Sequence, residues 1–375
     1  MYRSNELAVS IPAQGQGRQR DKLPLLHTRS AIVIMGRDGH TRERRLVKMN
    51  YRQLGNTDMK VSEISFGTWA IGGSWGSTSD AASLEALARA IDAGVNFFDT
   101  ADVYGDGHAE ELLRTATKGR EDEIYVATKF CRSANIHDPA VYSYESVRAF
   151  CEASLKRLGR ERIDLYQVHC PPTDIIRSGE VFGVLDRLRE EGKIREYGVS
   201  VESVEEGLIS LQYPNVKALQ VIFNLFRQKP AEELFPKAHA QGVGILVRLP
   251  LASGLLTGKF TEQSTFEADD HRNFNRNGES FNVGETFAGL PFEKGVALSR
   301  ELSWIGEGRT NMASASLRWI LDNPHITCVI PGFKNIPQVE ANLQAADVPA
   351  FTPDEQAKLR QFYESQVQSH IRGPY

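Results

Sequence analysis

The feature that most limits what this chain can fold into is a rhythm. From about residue 64 onward, short β-rich runs alternate with amphipathic stretches, and the alternation repeats eight times. The pairs read 64–66 with 80–93, 96–99 with 109–117, 124–129 with 144–158, 165–169 with 180–191, 197–200 with 204–211, 219–223 with 231–241, 245–249 with 311–323, and 327–330 with 337–345. Helical crossovers return the chain to the same end of a sheet, so these strands are expected to lie parallel. Eight is the count at which such a sheet closes into a barrel, and right-handed crossovers then put the helices outside. The expected fold class is α/β, a (β/α)8 TIM barrel over residues 50–370. A turn at Asn56, Thr57 and Asp58, followed by alternating Met59 and Val61, predicts an N-terminal β-hairpin capping one barrel end. Residues 353–366 predict a C-terminal extra helix.

Such a barrel uses roughly 250 residues, more with insertions, so a chain of 375 holds one barrel and extensions. With 41% hydrophobic and 25% charged residues, it has ample core and no disordered bias. Residues 1–49 stand outside the rhythm: they carry Gly15, Arg18, Arg20, Arg37, Arg42, Arg44 and Arg45, one apolar patch at 31–35, and a second Met at Met49, and they read as a disordered tail. Asp21, Asp38 and Glu43 argue against an organellar targeting segment. A net charge of −4 provides no field for nucleic acid, and no apolar run reaches the roughly 18 to 20 residues that span a bilayer. Cys131, Cys151, Cys170 and Cys328 form no CxxC pair, which suits a reducing compartment and a cytoplasmic location. Residues 261–292, polar and rich in Asn and Gly on the loop side where barrels build sites, read as a lid.

In a TIM barrel the reactive groups stand at the carboxyl ends of strands. Four ionisable residues fall there: Asp99 in FFDTA, Tyr104 in DVYG, Lys129 in ATKF and His169 in LYQVHC. A phenol with an ordinary pKa of about 10 is a poor proton donor unless a neighbouring cation stabilises its phenolate. Lys129 can supply that cation, Asp99 can hold Lys129 in place, and His169 can donate a hydrogen bond to a carbonyl oxygen. Taken singly, each has an ordinary structural explanation; their joint arrangement points to chemistry.

The segments FFDTADVYG (97–105), VATKF (126–130) and YQVHCP (166–171) resemble, in order and spacing, the catalytic segments of the aldo-keto reductase superfamily. The resemblance runs from Tyr51 to the last helix. It implies reduction of aldehydes or ketones by hydride from a nicotinamide cofactor, with Tyr104 as general acid and Asp99, Lys129 and His169 completing the tetrad. Small-molecule carbonyl substrates are then the expected partners, without nucleic acid or membrane, and an oligomer is compatible with the reading.

No G-x-G-x-x-G occurs, so a Rossmann domain is disfavoured and the barrel itself must hold the nucleotide. By resemblance, Gly67, Thr68 and Trp69 belong to a loop bordering cofactor and substrate, and Trp75 further along walls the pocket. Ser200 and Gln220, the latter read as beginning the sixth strand, match positions that bond the nicotinamide amide, although Val201 stands where Asn is common. The run from Leu251 through Ser253, Gly254, Leu256 and Gly258 to Lys259 offers small residues, backbone N–H groups and a cation that suit a pyrophosphate. Arg248 stands where many family members stack an aromatic ring, and its flat guanidinium can stack too. After the eighth strand, Gly332, Lys334, Gln338 and Asn342 match the adenosine site, while Ala341 replaces a frequent carboxylate. Lys334, as partner of a 2′-phosphate, favours NADPH, with NADH the alternative. The competing function is a non-catalytic nicotinamide-binding regulator, which the complete tetrad disfavours. A metal-dependent hydrolase lacks an HxH motif and a paired carboxylate set, so no metal is expected.

Overall fold

The computed structural model describes residues 31–35, 41–45, 49–73, 75–76 and 78–375. The chain divides into two units, residues 1–46 and 47–375. In the first, β1 (Ala31–Met35) pairs antiparallel with β2 (Thr41–Arg45), Ala31 opposite Arg45. The tail expected over residues 1–49 therefore contains a strand pair; the rest of that expectation, up to residue 48, lies outside the described residues.

In the second unit, β3 (Tyr51–Gln53) and β4 (Lys60–Ser62) form the expected hairpin. Its turn abuts the backbone before the seventh barrel strand. Gly55 has φ of 54° there, and a Cβ at that position would collide with the Gly242 carbonyl, so only glycine fits. Leu54, Met59 and Val61 plug the lower barrel against Phe97, Ala127, Leu165, Ala218, Leu246 and Cys328, all fully buried.

The barrel comprises β5 (Phe66–Gly67), β6 (Phe97–Asp99), β7 (Tyr125–Phe130), β8 (Ile163–His169), β9 (Ile194–Ser200), β10 (Val216–Ile222), β11 (Gly244–Arg248) and β12 (Cys328–Val329), in sequential order and parallel. Parallel bridges from Ile64 to Val329 and from Gly67 to Gly332 close it. The sixth strand begins at Val216, not at Gln220 as the pattern suggested: Lys217 interrupts the apolar run and sits in a bulge, and the strand continues across it with Val216 opposite Tyr197 and Ala218 opposite Gly198.

Helices α1 (Asp80–Asp92), α2 (His108–Thr117), α3 (Tyr144–Leu158), α4 (Thr173–Ser178), α5 (Glu180–Glu190), α6 (Val204–Ser210), α7 (Leu234–Ala240), α8 (His271–Phe274), α9 (Phe292–Glu301), α10 (Met312–Leu321), α11 (Ile336–Leu343) and α12 (Pro353–Phe362) complete the unit. Local signals set their ends. Ser143 caps α3 at its start, Gly159 at φ 64° ends it, and Ser203 with Glu206 forms a capping box on α6. The periodicity missed α4 and α9; α9 buries Phe292, Val296 and Ser299 at helical spacing, and Gly295 within it weakens the pattern.

Residues 261–291 are built rather than shapeless. Asp270 caps α8, and the buried Asn275 accepts from the Ser280 and Phe281 amides at 2.9 Å and donates to Thr286 Oγ1 at 3.0 Å. Among the described residues no helix is long and apolar enough to cross a membrane.

Candidate active site

The strand ends bring the four expected residues into one mouth. Asp99 ends β6, Lys129 stands one residue before the end of β7, His169 ends β8, and Tyr104 sits on the turn after β6. That turn is held by a close approach: Gly105 has φ of 61°, and a Cβ there would collide with the Gly72 carbonyl. Tyr104 is thereby pressed against the loop after β5, its ring stacked 6.0 Å from Trp69 and 5.9 Å edge-on from His169.

Lys129 is fully buried, and an isolated ammonium there would be costly. It donates to Asp99 Oδ1 at 2.5 Å, to the Thr100 carbonyl at 2.8 Å and to the Tyr104 hydroxyl at 3.4 Å. Burial pulls the ammonium towards neutrality, but Asp99 and Tyr104 together outweigh it and hold its pKa above the usual value. Asp99 Oδ2 in turn accepts from Gln167 at 3.1 Å and Gln220 at 2.8 Å. Gln167 was missed in the sequence, although it lies two residues before His169 on a strand and so shares its inward face.

The Tyr104 phenol departs from expectation. Burial raises its pKa above the usual value, and Lys129 lowers it only in part. The hydroxyl is thus protonated at neutral pH, with an ammonium placed to receive its anion. His169 is driven well below the usual imidazole range, first by burial and then by Arg132, Lys129 and Arg248. It is neutral at physiological pH, and its Nδ1 has no partner among the described residues.

Trp69, Tyr104, His169 and Glu285 stand between two clefts, one of about 590 Å³ and one of about 860 Å³. The first runs from Asp99 and Gln220 past Gly67, Arg248, Leu251, Ser253, Gly254 and Lys259 to Gly332, Lys334, Gln338 and Asn342. Most of the residues expected to hold a dinucleotide therefore share one groove. Its middle is shaped by a run of left-handed backbone, with φ of 52° at Leu249, 48° at Ala252, 54° at Ser253 and 100° at Gly254. At the far end, Asn335 caps α11, Lys334 donates to the Trp75 carbonyl, and Asn342 donates to the Gly332 carbonyl at 3.1 Å.

Four expected residues do not line that groove. Thr68 is fully buried with its hydroxyl on the Asp99 carbonyl at 3.2 Å, and Leu256 is a core residue. Gly258 ends a helical turn facing Met312. Ser200 is fully buried and accepts from the Cys170 thiol at 3.4 Å, so Cys170 covers it. Conversely, Phe260, Arg272 and Glu285 line the groove without having been expected. Trp75, Trp69 and Arg272 show why. His271 packs 4.6 Å from Trp69 and 4.3 Å from Trp75, and the Arg272 guanidinium lies 5.0 Å from the Trp75 ring, so residues 261–286 cross over the groove.

A second charged group lines the larger cleft. Arg132 donates to Glu285 at 2.9 and 3.2 Å and to Glu202 at 2.9 Å, while Arg248 lies 3.5 Å from Glu285. Cys170, Glu202 and Glu285 also come close enough together to suggest metal ligands, but the two guanidiniums already claim the carboxylates.

Asp102, just before Tyr104, yields a test of this electrostatic picture. It is 5% exposed, accepts from Ser133 at 2.9 Å, and leaves Oδ1 unpaired among the described residues. Burial lifts its pKa from 3.8 to about 6. The folded state thus favours the protonated form, so the penalty is absent below about pH 3.8, grows through the window, and is complete above about pH 6. Asp102→Asn is expected to stabilise the protein near neutral pH by up to about 3 kcal/mol, a gain that vanishes near the lower limit. Urea unfolding at both ends of the window checks this; an equal difference at both would contradict it.

The comparisons with known proteins agree with this geometry. Residues 63–364 match the model of the "Aldo/keto reductase family". The aldo-keto reductase YhdN of Bacillus subtilis is 33% identical over 299 residues, covering 78% of this chain and 87% of that relative. A probable voltage-gated potassium channel subunit beta of Arabidopsis thaliana is 29% identical, covering 84% of this chain and 97% of its own. Among solved structures, the glycerol dehydrogenase AKR11B4 from Gluconobacter oxydans superposes with a TM-score of 0.67 at 30% identity, covering 87% of this chain and 98% of its own. With the barrel, the strand-end tetrad and these matches in agreement, the chain belongs to the aldo/keto reductase family and is an oxidoreductase.

Proposed function

We propose that this protein reduces aldehydes or ketones to alcohols, with NADPH bound in the smaller cleft and Tyr104 as the proton donor. One observation carries the reading: the Tyr104 hydroxyl lies 3.4 Å from a buried ammonium that Asp99 holds at 2.5 Å. The residues of the groove fit a dinucleotide: a left-handed backbone turn in its middle, a lysine at its far end, and at its other end the tetrad, where His169 Nδ1 is buried without a partner among the described residues.

When bound there, NADPH supplies the hydride. A substrate carbonyl seated between Tyr104 and the neutral His169 takes the imidazole as an orienting donor that carries no charge of its own. The Tyr104 hydroxyl gives its proton to the carbonyl oxygen as negative charge develops, and the phenolate left behind faces Lys129. Burial keeps the phenol protonated at rest, and the ammonium beside it offsets part of the cost of the phenolate left on transfer. Arg248 lines the nicotinamide end of the groove, where its guanidinium disfavours a positively charged ring and hastens release of oxidised cofactor. Exchange to Arg248→Tyr should slow that release, as stopped-flow fluorescence would record; an equal or faster rate would refute the role.

The test of the activity is consumption of NADPH with a panel of aldehydes, ketones and sugars. Binding without oxidation across the panel would favour a regulatory cofactor-binding role. Lys334 provides a cofactor prediction: K334A should weaken NADPH binding about ten- to hundredfold, the range of a lost charge-assisted contact, and leave NADH nearly unchanged. Fluorescence titration of both cofactors measures it, and equal weakening would remove the 2′-phosphate assignment.

A further inference from the structure

The larger cleft contains a charged cluster that the tetrad does not use. Glu285 comes from the crossing segment, Arg132 follows β7 and Glu202 follows β9, so three separate elements converge on one wall of this cleft, while Arg248, at the end of β11 in the smaller cleft, faces Glu285 from the other side. We propose that Arg132, Glu202 and Glu285 form a specificity site that selects uncharged carbonyl compounds bearing hydroxyl groups and rejects those bearing a carboxylate. The proposal rests on the reading of this cleft as a carbonyl-reductase site.

The argument is one of committed charge. Two guanidiniums beside a substrate cavity would ordinarily recommend an anionic ligand. Here Arg132 is already bound twice by Glu285 and once by Glu202, and Arg248 faces Glu285. An incoming carboxylate would have to displace Glu285, which is 4% exposed, and leave it buried without a partner. Burial alone would push the Glu285 carboxyl up, but Arg132 and Arg248 hold it below the usual carboxylate range, so it stays ionised and tightly held. A hydroxyl group breaks nothing: it donates to a carboxylate oxygen and accepts from a guanidinium N–H at the same time. Glu285 lines both clefts together with Tyr104 and His169, which sets this recognition beside the reacting carbonyl. The rest of the cavity, about 860 Å³ with Trp69, Val103, Phe281, Asn135 and Thr173 on its walls, leaves room for a longer hydroxylated chain.

The experiment compares kcat/KM for glyceraldehyde, propanal and succinic semialdehyde in the wild type, Glu285→Gln and Glu202→Gln. Wild type should favour glyceraldehyde over propanal by at least about tenfold, and succinic semialdehyde should be the poorest substrate. Glu285→Gln should reduce the glyceraldehyde-to-propanal ratio about tenfold and raise succinic semialdehyde relative to propanal by a similar factor. Glu202→Gln should move both ratios in the same direction by less. Urea unfolding reports that each variant is folded; if Glu285→Gln is not, Glu202→Gln, whose side chain is partly exposed, decides the matter alone. Turnover of propanal with ratios that no folded variant moves overturns the specificity site only. Failure of the wild type to turn over any of the three while it binds NADPH overturns the reductase reading, and this proposal with it.

Discussion

Tyr104→Phe is expected to bind NADPH within about twofold of the wild type and to lose roughly a thousandfold in turnover, within the range that one positioned general acid contributes. The substitution removes a single oxygen, the one that lies 3.4 Å from the Lys129 ammonium. The ring keeps its place between Trp69 and His169, and the Gly72–Gly105 approach that positions the turn is untouched. A loss confined to turnover would therefore report the proton, not the fold. Single-turnover reduction beside cofactor titration measures both. Retained turnover in the folded variant would end the assignment of Tyr104 as the acid.

Lys129→Met should have the second large effect, and it separates chemistry from stability. Removing one partner of a buried ion pair leaves the other charge uncompensated, at a cost of about 3–5 kcal/mol. Asp99 retains donors from Gln167 and Gln220, which places the expected loss at the lower end of that range. Adding Asp99→Asn removes the stranded charge, so the double variant should recover most of the stability. Its turnover should stay at least about a hundredfold below wild type, because nothing then stabilises the phenolate. Urea unfolding and turnover of the two variants give the comparison. A Lys129→Met protein as stable and active as wild type would show that the ammonium serves neither purpose.

The strand-end cluster was readable because its residues belong to regular elements. Asp99, Lys129 and His169 interrupt apolar strand runs near their carboxyl ends, and a charged group at such a place has few structural explanations. The same regularity accounts for the smaller errors. Gln167 and His169 share a face by strand alternation, yet only the ionisable one drew notice. Thr68 and Leu256 sit within a residue or two of groove-lining positions, but their side chains turn into the wall, and outside regular elements no period predicts that direction; Ser200, at the end of β9, is covered by Cys170 from the neighbouring strand end.

Residues 261–292 were readable as a polar lid on the site side of the barrel, but not which of their side chains reach the clefts. They supply Arg272 and Glu285 to the clefts through short turns and side-chain-to-backbone bonds, such as those of Asn275, that have no sequence rhythm.

The sequence by itself determined the barrel, its hairpin plug and the strand-end tetrad, since all of these follow from local periodicity and from the rule that parallel strands of a closed sheet present their carboxyl ends together. Only the tertiary structure decided which way burial tips the Tyr104 phenol, and that Arg132, Glu202, Arg248 and Glu285 meet. Those outcomes depend on dielectric and distance between residues far apart in the chain, and these come into being only when the chain has folded.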